Sequence, residues 1–436
     1  MRVALLGCGN VGGALAEILL TRPDDVAART GIRLELVGIA VAEPAKPRPP
    51  AIHAARALVS TDAAALVARD DVDVVVEVIG GLHPAHELVE AALRNGKPVV
   101  TANKALLATA GAELAAVAAD AGVDLLYEAA VAGAIPVIRP LRESLAGEQI
   151  VRVMGIVNGT TNYILTRMEE AGDSYEDVLR EAQALGLAER DPSADVDGHD
   201  AAAKAAILAA LAFGSDVVDA DVYREGISGL NAADVAYANR LGYSVKLLAV
   251  AELIDGGPEV SVRVHPAMVP RTHPLASVRG AFNAVFVEGA VSGELMLYGR
   301  GAGGGPTASA MLGDLVDASR NLLAGAPAPA PKRATTTVRD QNDMHSAFYL
   351  SMDVADRPGV LAAVAKIFGD HNVSIRSMEQ VGLAEEARLI FLTHVAREGD
   401  LLATIDQLRQ HQAVDRVSGV LRVIGERDGD GADGGR

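Results

Sequence analysis

The chain has 436 residues, of which 50% are hydrophobic and 22% charged, and its formal net charge is −18. This length predicts two to four domains, and the acidity, with no basic run, argues against nucleic acid or membrane as partners. Cys8 is the one cysteine, which excludes an intrachain disulfide and a cysteine-rich metal site; with no signal peptide or membrane span evident, we expect a cytoplasmic protein.

Residues 1–130 alternate short apolar runs with helical segments. The run VDVVVEVI at 72–79 is a continuous β-branched stretch, typical of a strand that is buried on both faces. The alternation predicts an α/β fold, with a Rossmann-type doubly wound parallel sheet in a dinucleotide-binding domain at 1–130. The predicted strands are 2–6, 34–41, 72–79, 98–101 and 125–128, and the predicted helices are 11–20 and 84–95.

A glycine-rich loop, GCGNVG at 7–12, joins the first strand to the first helix. In such a loop the first glycine allows a tight turn, the second lets the backbone approach a pyrophosphate, and the third lets helix and strand pack closely. The helix N-terminus then faces the phosphates. The strand–turn–helix context favours dinucleotide binding over a bare structural turn, with the contacts predicted at Gly7, Gly9, Asn10, Val11 and Gly12.

The choice between NAD and NADP stays open at the second strand. Glu43 follows this strand and points to NAD, because NAD enzymes place an acidic residue there. Lys46 and Arg48 come just after it and are suited to gripping a 2′-phosphate. Cys8, inside the glycine loop, is interpreted as a small buried filler and not as a nucleophile.

After residue 130 the pattern changes to longer helices and strands. Ser174 predicts the start of a helix reading YEDVLREAQAL, and Gly186 is the expected glycine just past its end. A glycine-rich loop at 299–305 opens onto a further helix. The other predicted elements are helices at 198–213 and 306–323 and strands at 244–253, 259–264 and 282–298.

A Pro/Ala-rich segment, AGAPAPAPKR at 324–333, marks a domain boundary. We expect a linker at 324–345 and then a β-α-β-β-α-β order at 346–426, which is the ferredoxin-like unit. The Gly/Asp-rich tail at 427–436 is predicted to be disordered.

The segment AQALGLAERDPSADVDGHDAAAK at 182–204 combines five acids with one lysine. Asp200 and Lys204 are four residues apart and share a helix face, which on spacing alone also fits a solvated surface pair. The apolar neighbours on this helix favour a buried pair, in which the lysine is a poised proton donor. The acids of the preceding turn are suited to holding an ammonium group. Lys104 follows the strand at 98–101, at the sheet edge where ligands bind, but by position alone it is equally well a surface lysine.

Taken together, these residues resemble the homoserine dehydrogenase family over essentially the whole chain. The segment 182–204 resembles the signature of that family throughout, and TANKALLA at 101–108 and GIVNGTTNYIL at 155–165 are similar to two further family segments. The resemblance implies NAD(P)-dependent interconversion of aspartate-4-semialdehyde and homoserine in threonine and methionine biosynthesis. It also implies a substrate-binding and dimerisation domain of α+β type at 131–299, with a return segment to the first domain at 300–323.

The resemblance further implies roles for single residues. Lys204 is expected to exchange a proton with the substrate oxygen, Lys104 to touch both substrate and cofactor, and Asp200 to orient the site. The implied substrate contacts are Glu189, Asp195, Asn158, Gly159 and Thr160; the implied sodium site is Glu128 with the backbone of Val131, Gly133 and Ile135; and the further cofactor contacts are Gly80, Thr101 and Gly303.

Residues 346–426 resemble an ACT domain, through DRPGVL at 356–361 and DHNVSI at 370–375. This implies regulation by threonine, the alternative being a domain that only helps the chain to form a dimer or tetramer. In the family a basic residue often ends the second strand in NADP enzymes, and Ala42 stands there instead.

Two other enzymes and one non-enzymatic class of protein are alternatives to this interpretation. Aspartate-semialdehyde dehydrogenase needs a cysteine nucleophile, and Cys8 lies in the glycine loop. A fused aspartate kinase would need a longer chain. A non-enzymatic sensor that binds NAD is disfavoured by the intact Lys104, Asp200 and Lys204.

Overall fold

The computed structural model describes residues 1–327, 334, 336–381 and 386–425. The predicted tail at 427–436 lies outside the described residues, as do residues 328–333 and 335 of the predicted linker. Within the described ranges, no helix is long and apolar enough to cross a bilayer.

A six-stranded sheet with all strands parallel forms the N-terminal part of the chain, in the order β3-β2-β1-β4-β5-β6. The prediction of a doubly wound parallel sheet is confirmed. The strands are β1 (Arg2–Leu6), β2 (Glu35–Ala40), β3 (Val59–Ser60), β4 (Val74–Glu77), β5 (Val99–Thr101) and β6 (Leu125–Leu126), and the helices are α1 (Asn10–Thr21), α2 (Pro23–Thr30), α3 (Pro50–Ala54), α4 (Ala63–Ala68), α5 (Ala85–Arg94) and α6 (Lys104–Ala121).

Helices cover both faces of this sheet, which is why its strands read as continuous apolar runs. Val74 and Val76 lie in the core on one face, and Val75 lies in the core on the other. The carboxyl ends of β1, β4 and β5 therefore bring the loops after residues 6, 77 and 101 to one edge of the sheet, where ligands bind in such folds.

The middle of the chain adds helices on one face of a larger, mixed sheet. Ser174 caps α8 through its hydroxyl, as predicted, and Gly186 has the expected left-handed backbone just beyond its end. The elements are β7 (Ile150–Ile156), α7 (Gly159–Ala171), α8 (Tyr175–Ala184), α9 (Ser193–Val196), α10 (His199–Phe213), β8 (Tyr223–Arg224), α11 (Ala232–Arg240), β9 (Tyr243–Ile254), β10 (Glu259–Pro270), β11 (Phe282–Gly289), β12 (Gly293–Arg300) and α12 (Gly304–Ala324).

The single strand predicted at 282–298 is wrong, because the structure forms a hairpin there. Strands β11 and β12 pair antiparallel, with Gly289 opposite Gly293 and a turn between them. Gly293 has a positive φ of 69°, which a glycine adopts without strain. Because the residues on both sides of the turn are largely apolar, the sequence pattern alone does not show where one strand ends and the next begins.

The last helix of this part, α12, returns to the first domain and packs on α1. Its Ala308, Met311 and Leu315 share one core with Leu15 and Leu19 of α1. The loop before it, at 301–304, therefore meets the glycine loop at the start of α1.

The C-terminal part has the predicted β-α-β-β-α-β order, so the ferredoxin-like prediction is confirmed. The strand at 345–355 pairs antiparallel with the strands at 386–393 and 414–423, and two helices cover the sheet. The elements are β13 (Thr337–Val338), β14 (His345–Ala355), α13 (Val360–Asp370), β15 (Ile375–Val381), β16 (Glu386–Thr393), β17 (Ala396–Arg397), α14 (Glu398–Gln410) and β18 (Val414–Val423).

The sheet of the middle domain and the sheet of the C-terminal domain form one continuous sheet. Strand β18 pairs with β10 at two positions, Ala267 with Arg422 and Met268 with Val423, so the order runs β12-β11-β7-β9-β10-β18-β14-β16-β15. The C-terminal domain is therefore attached to the middle domain through backbone pairing as well as through side chains.

Candidate active site

One carboxylate, Asp200, lies between two lysine ammonium groups. The Nζ atom of Lys204 lies 2.7 Å from one oxygen of Asp200, and the Nζ atom of Lys104 lies 3.0 Å from the other. Lys204 is 9% exposed, and it also donates to the carbonyl oxygen of Val157 at 2.6 Å. The pair at positions 200 and 204 is thus buried, and the solvated surface pair is not what the structure shows.

The position of this cluster follows from how two helices begin. Asn103 caps α6 by accepting from the backbone N–H of Leu106, so Lys104 is the first residue of that helix. Gly198 precedes α10 with a φ of 83°, so Asp200 falls in the first turn and Lys204 one turn further. The first turns of α6 and α10 lie next to each other, which brings Lys104, Asp200 and Lys204 together.

The two lysines favour the ionised form of Asp200. Burial opposes ionisation of Asp200, but the charges of Lys204 and Lys104, with hydrogen bonds from Lys204 and Asn158, keep the pKa of this carboxyl well below its usual value. Asp200 is therefore an anion at neutral pH and orients both ammonium groups.

Asn158 links this cluster to the acidic turn. Its side-chain amide donates to Asp195 at 2.7 Å and to Asp200 at 2.9 Å, while its oxygen caps α7 at Thr161. The neighbouring Thr160 hydroxyl donates to the carbonyl oxygen of Leu187. The structure thus brings the segment 158–160 against the acidic turn.

An open cleft of about 430 Å³ lies over the cluster. It is lined by Lys104, Asp200 and the acids Glu189, Asp191 and Asp195. A pocket lined by an ammonium group and several carboxylates suits a small zwitterion that carries a polar oxygen.

The glycine loop at the start of α1 has the close contacts that its pattern predicts. A Cβ atom on Gly7, whose φ is 98°, would collide with the backbone at Val78, and one on Gly12 would collide with the Gly7 carbonyl. A Cβ atom on Gly9 would meet nothing within 4 Å. The second glycine therefore borders open space at the helix N-terminus, where a phosphate can approach. Gly304, beside the predicted contact Gly303, packs on the backbone of Asn10.

Three family models match the chain. The homoserine dehydrogenase model matches residues 136–316, its NAD-binding domain model matches residues 7–128, and the ACT domain model matches residues 348–412. A curated homoserine dehydrogenase from Corynebacterium glutamicum is 51% identical over 98% of this chain and 96% of its own length. The chain belongs to the homoserine dehydrogenase family.

Further relatives agree with this assignment. The homoserine dehydrogenase of Mycobacterium tuberculosis is 51% identical over 97% of both chains. A crystal structure of the Thiobacillus denitrificans homoserine dehydrogenase superposes with a TM-score of 0.89 at 41% identity, over 97% of this chain and 98% of that one. A hyperthermophilic archaeal homoserine dehydrogenase, solved with NADPH, has a TM-score of 0.61 at 28% identity and covers 76% of this chain and 99% of its own. As a homoserine dehydrogenase, the chain is an NAD(P)-dependent oxidoreductase that acts on a CH–OH group.

The basic residues after β2 differ in their surroundings. The guanidinium of Arg48 donates to the carbonyl oxygens of Glu43, Pro44 and Lys46 at 2.7–3.0 Å, so it holds its own loop together. The side chains of Glu43 and Lys46 are exposed.

Cys8 is not the fully buried filler that we expected from the sequence. It is half-buried, in contact with Arg48, and burial raises the pKa of its thiol despite that nearby charge. A thiol with a raised pKa is a weak nucleophile, so the interpretation of Cys8 as non-catalytic gains support.

Glu77 is a residue of this homoserine dehydrogenase that the sequence reasoning missed. Its buried carboxylate accepts from the backbone N–H groups of Ile79 and Gly80, and from the Thr101 hydroxyl at 2.6 Å. It therefore ties together the loops after β4 and β5, which include the predicted cofactor contacts Gly80 and Thr101. An acid inside an otherwise apolar strand was the signal in the sequence.

Asp219 is a second residue that was missed. It lines the cleft, and its Oδ1 atom is buried with no hydrogen-bond partner within the part of the chain that the structure describes. Its segment, 214–222, gave no motif, so only the folded chain shows that it reaches the site.

The predicted sodium site maps onto the loop before residue 137. The Glu128 carboxylate accepts at 2.6–2.8 Å from the backbone N–H groups of residues 137, 138 and 139, which directly precede the short π-helix Pro140–Ser144. Ala132 and Gly133 have positive φ values of 56° and 58° in this loop. No cluster of three or more acidic, histidine or cysteine side chains that could hold a metal occurs among the described residues. The backbone oxygen atoms of this loop are hard ligands, which suit a hard ion such as sodium.

Proposed function

We propose that this homoserine dehydrogenase exchanges a proton between Lys204 and the substrate oxygen as aspartate-4-semialdehyde and homoserine interconvert. The observation that supports this role is the geometry of the ammonium group. An ammonium has three N–H donors, and Asp200 and the Val157 carbonyl take two of them. Among the described residues the third donor has no acceptor, and we propose that it meets the substrate oxygen beside Asp200, which lines the cleft.

The other charged groups fit a hydride transfer beside this proton donor. When bound, NAD(P)H supplies the hydride to the aldehyde carbon. Lys204 protonates the oxygen on which negative charge develops, and Lys104 stabilises that charge as a second cation. Asp200 pairs with both lysines and holds their ammonium groups side by side.

The carboxylates at 189 and 195 in the cleft are proposed to hold the substrate ammonium group. Glu189 and Asp195 supply the carboxylates, and Asn158 fixes Asp195 in place through its amide. Gly159 and Thr160 are proposed to complete the pocket, since Asn158 brings them to its rim.

The cofactor is proposed to lie across the glycine loop at 7–12, with Gly80, Thr101, Lys104 and Gly303 along its nicotinamide half. Between the two basic residues after β2, Lys46 suits a 2′-phosphate better, because Arg48 already donates to three carbonyl oxygens. The archaeal relative solved with NADPH supports the use of NADP.

A sodium ion is proposed at Glu128, with the backbone of Val131, Gly133 and Ile135. It would fix the loop that leads from the first domain into the second, and no step of the reaction passes through it.

Threonine is proposed to bind the ACT domain, in a cavity of about 370 Å³ lined by the loop 354–361. Gly359 has a φ of 94° there and precedes α13, whose N-terminus can receive a carboxylate. A homodimer or homotetramer, in the cytoplasm, is the expected form of the enzyme.

The test is homoserine oxidation by the purified chain, with NAD⁺ and NADP⁺ in parallel, and with and without threonine. We expect turnover with homoserine. The cofactor that the enzyme prefers shows whether Glu43 or Lys46 determines the choice between NAD and NADP. A pure protein that binds NAD but does not turn over homoserine would reject the proposal and favour a sensor.

A further inference from the structure

The segment after β8 lies directly behind the turn that presents Asp195. Ile227 donates its backbone N–H to the carbonyl oxygen of Val196 at 2.8 Å. A Cβ atom on Gly226 would collide with the backbone of Val196 and Asp197. Because residues 226 and 227 contact the backbone of residues 196 and 197 directly, the position of the adjacent Asp195 depends on the position of this segment.

The same segment is fixed from behind by the large sheet. Tyr223 and Arg224 pair with β10, and the backbone N–H of Glu225 donates to Val264 at 2.8 Å. The side chain of Glu225 points to the C-terminal domain and accepts there from Nη1 of Arg422 at 2.9 Å. It also accepts from the hydroxyl of Tyr223, in its own segment.

Arg422 is itself held rigidly within the C-terminal domain. It lies on β18 with 6% of its side chain exposed, and its Nε and Nη2 atoms donate to Glu398, whose side chain is 1% exposed. A guanidinium bound as a fork has a fixed direction, so its remaining Nη1 atom presents a fixed donor to Glu225.

We propose that Glu225 is a positioning residue for substrate binding, through which Arg422 of the ACT domain holds the turn 193–198 in its binding form. The contacts run from β18 to Glu225, from residues 226 and 227 to Val196, and from there to the adjacent Asp195. The ACT domain thereby contributes to substrate affinity even when no effector is bound. This inference rests on the proposed role of Asp195 as an anchor for the substrate ammonium group.

The test is steady-state kinetics of the full-length Glu225→Gln variant. Glutamine keeps the shape of the side chain but loses its charge, so the hold of Arg422 on the segment weakens. We expect the KM for homoserine to rise by about three- to tenfold, with kcat and the KM for the cofactor within about twofold of wild type. Such a split marks a loss of substrate binding, whereas general damage to the fold would lower kcat as well.

Two further variants sharpen this test. Gly226→Ala pushes on the turn directly and should raise the same KM at unchanged cofactor KM. Glu259→Gln is the matched control, since Glu259 pairs with Arg339 on the same sheet but does not contact the turn. It should leave all constants unchanged.

The possible outcomes separate the two proposals. An unchanged homoserine KM in Glu225→Gln, or an equal rise in Glu259→Gln, overturns the inference. Absence of homoserine turnover in the wild-type chain would instead reject the proposed function.

Discussion

At the scale of single residues, the active site depends on the charge of Asp200. The two lysines that flank it come from α6 of the first domain and α10 of the second, so the folded chain brings together charges that lie 96 to 100 positions apart in sequence. Since its pKa is depressed, the stability that Asp200 contributes is present above about pH 4 and is lost only as the pH falls through the lowered pKa.

A second buried lysine gives a prediction on pH dependence. Lys246 is fully buried on β9, and burial, only partly opposed by Glu169, lowers its pKa to about 8. The unfolded chain keeps this lysine protonated up to about pH 10.4, so it binds more protons than the folded chain between pH 8 and 10.4. The group therefore makes the folded chain more stable, by up to about 3 kcal/mol, as the pH rises through this window.

The check is the unfolding free energy of wild type and Lys246→Met in urea at pH 7.5 and 9.5. The difference between the two proteins should shift with pH in favour of wild type. A difference that stays the same at both values would refute the depressed pKa.

The residue scale also shows what sequence reasoning can reach. The pair Asp200 and Lys204 was predictable because both lie on one helix, where spacing determines proximity. The ion pair from Lys104 to Asp200 and the hydrogen bonds of Asn158 were not, because they join separate elements whose approach depends on the packing of whole domains. Family resemblance placed these residues in the site without giving their contacts.

At the scale of elements, the glycines of the loop at 7–12 have two different roles, one in folding and one in cofactor binding. Gly12 packs against the backbone of Gly7, whereas a side chain on Gly9 would meet open space. The sequence pattern predicted the positions of these glycines, and the structure shows which of them the fold itself requires.

Gly9→Ala should fold with a melting temperature close to wild type but bind NAD(P) more weakly by about tenfold or more, since the methyl group occupies the approach of the pyrophosphate. Gly12→Ala should lower the melting temperature instead. Thermal unfolding and cofactor titration of both variants check this, and tight cofactor binding by Gly9→Ala would contradict it.

Elements were easier to predict than their pairing. Five strands and two helices of the first domain, and the order of elements in the last domain, follow from periodicity, which is local. Periodicity did not predict α2, α3, α4, α6 or β3. The sequence predicts one strand where β11 and β12 form a hairpin, because the turn between them carries no Asn-Gly or Pro-Gly signal. The pairing of β18 with β10 joins strands that lie more than 150 positions apart, beyond the reach of any local pattern.

At the scale of the whole molecule, the C-terminal domain is docked through a buried acid. Asp234 of α11 is 1% exposed and accepts from the hydroxyl groups of Tyr349 and Ser351 at 2.8 and 2.6 Å. A Cβ atom on Gly419 of β18 would collide with the same carboxylate. The ACT domain is thus seated closely on the middle domain.

Asp234→Ala should destabilise the chain by about 2–4 kcal/mol, because it leaves two buried hydroxyl groups without their acceptor. Asp415→Ala, an exposed acid on β18, is the control and should change stability by less than about 0.5 kcal/mol. Urea unfolding of both variants measures this. Equal stabilities would show that the docking does not depend on Asp234.

The role of Lys204 as proton donor is the central claim, and turnover of Lys204→Ala tests it most directly. We expect kcat for homoserine oxidation to fall by roughly two to four orders of magnitude, with cofactor affinity retained. Lys366→Ala serves as the control, because Lys366 and Asp370 form an exposed pair with four-residue spacing on α13, and its kcat should match wild type. Turnover of Lys204→Ala within about tenfold of wild type would contradict the account, since a general acid contributes more than that.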